Sequence, residues 1–142
     1  RTSNLVLESE LVPEGWEAGP AQFGADVTLD QFAPPTGSAT VVVEAVDLET
    51  GVGLDQWSEF VRQRDESAGL TPGPASEARL DGADALQWDV SVAAEGGDSF
   101  LMREVVTVSG NVGWRVTLND LQDGFDTSAV VFRDMLDSWQ FA

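Results

Sequence analysis

A chain of 142 residues with 25 acidic side chains, seven basic ones and a formal net charge of -18 projects a field that repels phosphate backbones and anionic lipid surfaces, which disfavours nucleic acid as a partner. It contains no histidine, cysteine or lysine, so catalytic triads, thiol nucleophiles, Ser-Lys dyads and zinc sites built on imidazole or thiolate are excluded. No stretch approaches the ~20 apolar residues of a membrane helix, so direct membrane insertion is not expected, and the length fits one domain over residues 1–142.

Near the N-terminus, Leu5 and Leu7 alternate with Asn4, Val6 and Glu8, which predicts a short strand before the turn-forming Pro13-Glu14-Gly15. Pro20, Gly24, Pro34, Pro35 and Gly37 punctuate residues 18 to 38 and leave at most a short strand around Asp26 to Leu29. Ala39 to Leu48 is β-branched and apolar, a buried strand. Leu54, Trp57, Phe60 and Val61 then recur at helical spacing, with Gln56, Glu59, Arg62, Gln63 and Asp65 between them, so Leu54 to Ser67 is an amphipathic helix that Gly69 ends. Thr71-Pro72-Gly73-Pro74 reads as a turn or loop.

Three period-2 segments follow, Ala83 to Ala93, Ser99 to Ser109 and Val112 to Asn119, separated by the turn compositions Glu95-Gly96-Gly97-Asp98 and Gly110-Asn111. Asp126 or Thr127 is placed to cap a final helix whose stripe is Val131, Phe132, Met135, Leu136 and Trp139, ending near Ser138. Three strands, a helix, a three-strand meander and a helix make an α+β fold with a mainly antiparallel sheet. A tight turn at Gly110-Asn111 sets Thr107 opposite Trp114 and Val105 opposite Val116, and the preceding hairpin sets Asp89 opposite Arg103 and Trp88 opposite Glu104. One face of the meander then presents Leu86, Trp88, Val90, Met102, Val106 and Val108, and the other Leu101, Val105, Val112, Trp114, Val116 and Leu118. A sheet apolar on both sides requires cover on both sides, so an α/β/α sandwich with one helix per face is expected.

The chemistry left to such a chain is that of carboxylates. Asn119 to Asp126 superficially resembles a calcium loop, but aligning Gly124 with the invariant glycine puts Leu121 and Val130 at liganding positions, so a polar loop capping the last helix is the better reading and no metal is expected. Asp81-Gly82-Ala83-Asp84 reads as a turn into a strand. Arg103 beside Asp89 and Arg115 near Glu104 are candidates for an anion- or partner-facing pair, with cross-strand salt bridges as the ordinary alternative. Trp57, Trp88, Trp114 and Trp139 fall on apolar stripes and are assigned to the core, whereas Trp16 follows a turn and is a candidate for lining a ligand cleft as well as for packing.

Val12-Pro13-Glu14-Gly15-Trp16 resembles the P-x-G-W segment after the first strand of the PsbP-like superfamily, which also takes in the Mog proteins, DcrB-like bacterial proteins and actinobacterial lipoproteins of the LpqN type, the last being the nearest in character. In the same order as in that superfamily, Leu54-Asp55-Gln56-Trp57 resembles the start of its long helix, Leu80-Asp81-Gly82-Ala83-Asp84-Ala85 its L-x-G-x-x-A entry to a hairpin, and Arg103-Glu104-Val105-Val106 its next strand. Phe125-Asp126 through Ser138-Trp139-Gln140-Phe141 resembles its closing helix. The resemblance spans nearly the whole chain except residues 18 to 38, and implies an α/β/α sandwich without enzymatic activity or cofactor, acting as an accessory subunit, chaperone, adaptor or lipid-linked envelope protein. The metal-binding histidines of photosystem members have no counterpart here.

These readings converge on a non-catalytic binding or accessory domain, extracytoplasmic or in the cell envelope. The start at Arg1 rather than methionine fits a targeting segment or tether removed upstream. The alternatives are a cytoplasmic chaperone or adaptor of the DcrB-like type, for which a homodimer and an exposed apolar patch are expected, and a domain that binds a small ligand between sheet and helix. The expected partner is a protein or a small neutral or cationic ligand.

Overall fold

The computed structural model describes residues 17–23, 27–33, 39–93 and 99–139. In chain order these form β1 (Glu17–Phe23), β2 (Val27–Ala33), β3 (Thr40–Asp47), α1 (Leu54–Ser67), β4 (Ser76–Leu80), β5 (Ala83–Ala93), β6 (Ser99–Ser109), β7 (Val112–Leu121) and α2 (Gln122–Asp137). The strands join in one seven-stranded sheet of order β1-β2-β3-β7-β6-β5-β4, and every neighbouring pair is antiparallel. The fold is α+β, as the element order implies. The strand expected at residues 4–8 lies outside the described residues.

Two tight turns set the register. Asp81 and Gly82 both have positive φ, 48° and 78°, as do Gly110 and Asn111, 59° and 64°; this is the mirror-image turn whose twist matches a hairpin's strands, and Asp, Asn and Gly adopt it at the least steric cost. Ser109 therefore pairs with Val112, Thr107 with Trp114 and Val105 with Val116. Across the next ladder Asp89 pairs with Arg103 and Trp88 with Glu104. All four meander pairings expected from turn chemistry are present.

Alternation along the strands divides the apolar residues into two clusters. Val105 packs with Val41, Val43, Ala45, Trp114, Val116 and Leu118 of the sheet and with Phe125, Phe132 and Met135 of α2. Its neighbour Val106 packs with Trp88 and Val90 and with Trp57 and Val61 of α1. Trp57, Trp88, Trp114 and Trp139 are all buried, in agreement with their assignment to the core. Trp114 and Trp139 meet edge to face with centroids 5.8 Å apart, and the Trp57 indole N–H donates to the Trp114 carbonyl at 3.0 Å, which ties α1 to β7.

Three boundaries differ from expectation. The segment from 18 to 38 holds two strands, not one short one; β1 contains Gly19 and Pro20, and its register shifts between Gly19 and Gln22, an irregularity of the kind edge strands accommodate. Ser76–Leu80, which gave no strand signal, forms β4 as the partner of β5. The final helix begins at Gln122 directly from β7 rather than at Asp126 or Thr127. Its start is organised upstream, where the Asp120 carboxylate accepts the Leu121 N–H at 2.7 Å and the Ser128 hydroxyl at 2.5 Å.

Candidate functional site

The most concentrated polar chemistry lies beneath α1. Register brings Glu44 of β3 opposite Arg115 of β7, while Arg115 stands one strand from Glu104 of β6, and α1 lowers Asp65 onto the same group. Arg115 Nε donates to Glu104 at 2.5 Å, and its terminal nitrogens lie 3.5 Å from Glu44 and 3.8 Å from Asp65. Glu44 also receives both terminal nitrogens of Arg64 at 3.1 and 2.6 Å. The Trp88 indole N–H donates to the other oxygen of Glu104 at 3.2 Å. Glu104 is completely buried, and Glu44 and Asp65 nearly so.

Three carboxylates, Glu44, Asp65 and Glu104, thus share two guanidiniums, Arg64 and Arg115. The surplus negative charge falls on Asp65, whose pKa is pushed from 3.8 up to about 7. Burial is the main cause, reinforced by the Glu104 carboxyl beside it; Arg115 and Trp88 oppose the shift but do not cancel it. Asp65 Oδ2 is buried with no donor facing it. A proton on Asp65 resolves both features, because the protonated carboxyl becomes a donor toward Glu104 and the cluster is then neutral. Burial pulls the Arg115 pKa down, but the charge and hydrogen bond of Glu104 outweigh it, followed by Glu44 and Asp65, and the net direction is upward. Arg115 is a permanent cation.

The candidate pair Arg103 and Arg115 is not brought together. Within β6, Arg103 and Glu104 are consecutive and point to opposite faces, and Arg115 pairs with Val106 on the Glu104 side. Arg103 instead makes a two-pronged bond to Asp89 at 2.8 and 3.1 Å and lies 5.3 Å from the Phe125 ring centroid. Its hydrogen bond to Asp89 raises its pKa. Both arginines therefore have the cross-strand partners of the ordinary reading, although Arg103 also borders a cleft of about 180 Å3 with Arg133, Val130 and Leu136 of α2. Trp16 lies outside the described residues. A second hollow, of about 440 Å3, lies along β4 and β5 beside the start of α1 and is lined by Leu54, Glu77, Arg79, Asp84 and Leu86.

Sequence reasoning found Arg115 and Glu104 but not Glu44 or Asp65. Asp65 was expected on the polar flank of α1, yet it continues the buried line of Trp57 and Val61 at four-residue steps. A carboxylate on that stripe was the available signal. Glu44 carried a similar one, as the lone charge amid the apolar residues around Val41 to Val46. Among the described residues no group of three or more carboxylates is arranged to hold a metal ion, and the Asn119–Asp126 segment uses Asp120 to organise the start of α2.

No family model matches the chain, and no curated protein matches it. Among solved structures it is similar to the solution structure of cyanobacterial PsbP, CyanoP, from Synechocystis sp. PCC 6803, with a TM-score of 0.64 and 15% identity over 92% of this chain and 84% of that one. The fold is PsbP-like. At that identity the likeness speaks for backbone architecture, in agreement with the resemblance carried by the ordered sequence motifs.

Proposed function

We infer that the chain is one non-enzymatic, PsbP-like domain over residues 1–142 that serves as a binding or accessory module, in the cell envelope or secreted, with lipoproteins of the LpqN type as its nearest analogues. The observation that carries this reading is the PsbP-like architecture spanning 92% of the chain. It is supported by the way the chain uses its polar groups: the buried carboxylates Glu44, Asp65 and Glu104 are engaged with arginines under α1 instead of facing a cleft. The finer architecture we propose is an α/β/α sandwich. Its support is that consecutive residues Val105 and Val106 fall into different clusters, one closed by α2 and the other by α1.

The chaperone alternative calls for a contiguous apolar patch. Among the described residues the large exposed hydrophobics are Phe60 on α1 and Val130 on α2, which belong to separate helices packed on separate clusters. No helix of the described residues is long and apolar enough to cross a membrane. Such a module would meet its partner through loops, sheet edges or outer helix surfaces, with a protein or a neutral or cationic ligand as the occupant that suits its charge.

Cell fractionation of the native host with an antibody against this domain, followed by chemical cross-linking, tests the reading. The expected result is recovery in the envelope or medium fraction, with a discrete cross-linked species that reappears when its second component is tagged instead. Recovery as an uncross-linked cytosolic protein would overturn it.

A further inference from the structure

We propose that β4 is a self-complementary docking edge through which two copies of this chain pair into a continuous antiparallel sheet. β4 is the last strand in the sheet order, with β5 on one side and no described strand on the other. Its Ser76, Glu77 and Arg79 are exposed, Ala78 is half-buried and Leu80 is buried. A strand edge without a described neighbour offers backbone donors and acceptors to an extended segment, so what selects the partner is the side-chain pattern.

That pattern is symmetric about Ala78. A two-fold axis perpendicular to the sheet at Ala78 sets Glu77 of one copy opposite Arg79 of the other, and the reverse, with Ser76 opposite Leu80 on either side. Directly opposed residues on antiparallel strands lie about 4.5–5.5 Å apart between Cβ atoms, within reach of an ion pair. The operation keeps the faces of the sheet aligned, so the two Glu-Arg pairs fall on the face that carries Leu86 and Asp84, where Glu77 pairs with Leu86 and Arg79 with Asp84 in the β4–β5 ladder. Ala78 on the axis is small enough to allow close approach.

The surroundings suit this occupant. Arg79 is held in the single copy by a loose 3.5 Å contact to Asp84, with both side chains largely exposed, and by one hydrogen bond to the Gly82 carbonyl, so its guanidinium can take a second carboxylate. The hollow of about 440 Å3 beside the edge gives room for the arginine stem of the second copy. The same charges discriminate: a strand that sets an acidic residue opposite Glu77 exchanges one of the two ion pairs for a like-charge contact. Pro74 lacks an N–H and confines regular pairing to the five residues of β4. So short a contact, made against the repulsion between two chains of charge -18, gives a weak dimer that depends on concentration.

Sedimentation equilibrium at about 0.15 M salt, from micromolar to millimolar protein, decides the matter with four proteins: wild type, Glu77→Arg, Arg79→Glu and the double exchange. Each single change turns both symmetric attractions into repulsions and is expected to weaken dimerisation about tenfold or more. The double exchange restores opposite charges across the axis and is expected to return the dimer to wild-type strength. Both side chains are exposed, and unchanged circular dichroism and tryptophan fluorescence establish that the variants fold. A wild type that stays monomeric to millimolar concentration overturns the proposal. So does a dimer indifferent to the single changes, or a double exchange as weak as either single one.

Discussion

Asp65 is the residue whose ionisation the fold controls most directly, and it gives a prediction of definite sign. Its folded pKa, about 7, stands above its ordinary value of 3.8, so between those pH values the folded chain holds a proton that the unfolded chain has released. Stability from this group therefore falls as pH rises across that window and is level above about 7. Asp65→Asn keeps the size of the side chain, supplies a permanent donor toward Glu104 and cannot ionise. The variant is expected to lose this descending component, so that urea midpoints measured from pH 4.5 to 8.5 show it gaining on wild type toward the alkaline end. Parallel curves would show that Asp65 releases its proton in the fold as readily as in the unfolded chain. Arg115 sets the complementary case: Arg115→Met leaves Glu104, fully buried, without its cation, and is expected to cost about 3–5 kcal/mol in urea unfolding. Pairing it with Glu104→Gln should recover part of that loss, since the uncompensated charge is then gone.

At the scale of elements, the legible parts of the chain were those whose signals are local. The α1 helix was readable to its boundaries because its apolar spacing is uninterrupted from Leu54 to Val61 and Gly69 closes it with a positive φ of 86°. Meander register followed from two residues at a turn. By contrast β1 contains Gly19 and Pro20, and β4 has only five residues and alternates charged with small ones, so neither carries the β-branched signature and both depend on a neighbouring strand for their form. The start of α2 was misplaced because its organising carboxylate, Asp120, sits before the helix, where Gly124 admits it: a Cβ at position 124 would lie 3.0 Å from Asp120 Oδ2. The ionic cluster was half legible for the same reason, since Arg115 and Glu104 are linked by a hairpin whereas Glu44 and Asp65 arrive through the β3–β7 pairing and the packing of α1. That packing makes its own prediction at Gly113. A Cβ there would stand 2.7 Å from two ring carbons of Trp57 and 3.1 Å from Leu48, and a buried indole bonded to the Trp114 carbonyl has little freedom to retreat. Gly113→Ala is expected to destabilise by about 1–3 kcal/mol and to break or lengthen that indole hydrogen bond. Thermal melts and the Trp57 indole proton shift report the two effects; an unchanged midpoint would mean that α1 rides over the sheet more loosely than the contact implies.

For the whole molecule the governing quantity is the net charge of -18. Among the described residues, Arg64, Arg79, Arg103 and Arg115 are committed to ion pairs with Glu44, Asp84, Asp89 and Glu104, and with 25 acidic side chains against seven basic ones the folded state carries a self-repulsion that the expanded chain relieves. Salt acts on that repulsion through screening, whose length falls from about 30 Å at 0.01 M to about 10 Å at 0.1 M and about 3 Å at 1 M, so exposed charges more than about 10 Å apart are already largely screened at 0.1 M. The melting temperature is therefore expected to climb steeply with sodium chloride up to about 0.1 M and then flatten. Stabilisation by exclusion of salt from the protein surface would instead keep rising into the molar range. The buried cluster responds differently, because groups out of contact with solvent are screened far less. The alkaline advantage of Asp65→Asn should thus persist at high salt while the overall salt dependence has saturated, and measuring both variants at low and high sodium chloride separates the two electrostatic layers. If the advantage vanished as salt rose, Asp65 would be responding to the distributed surface charge and not to Glu104 beneath α1.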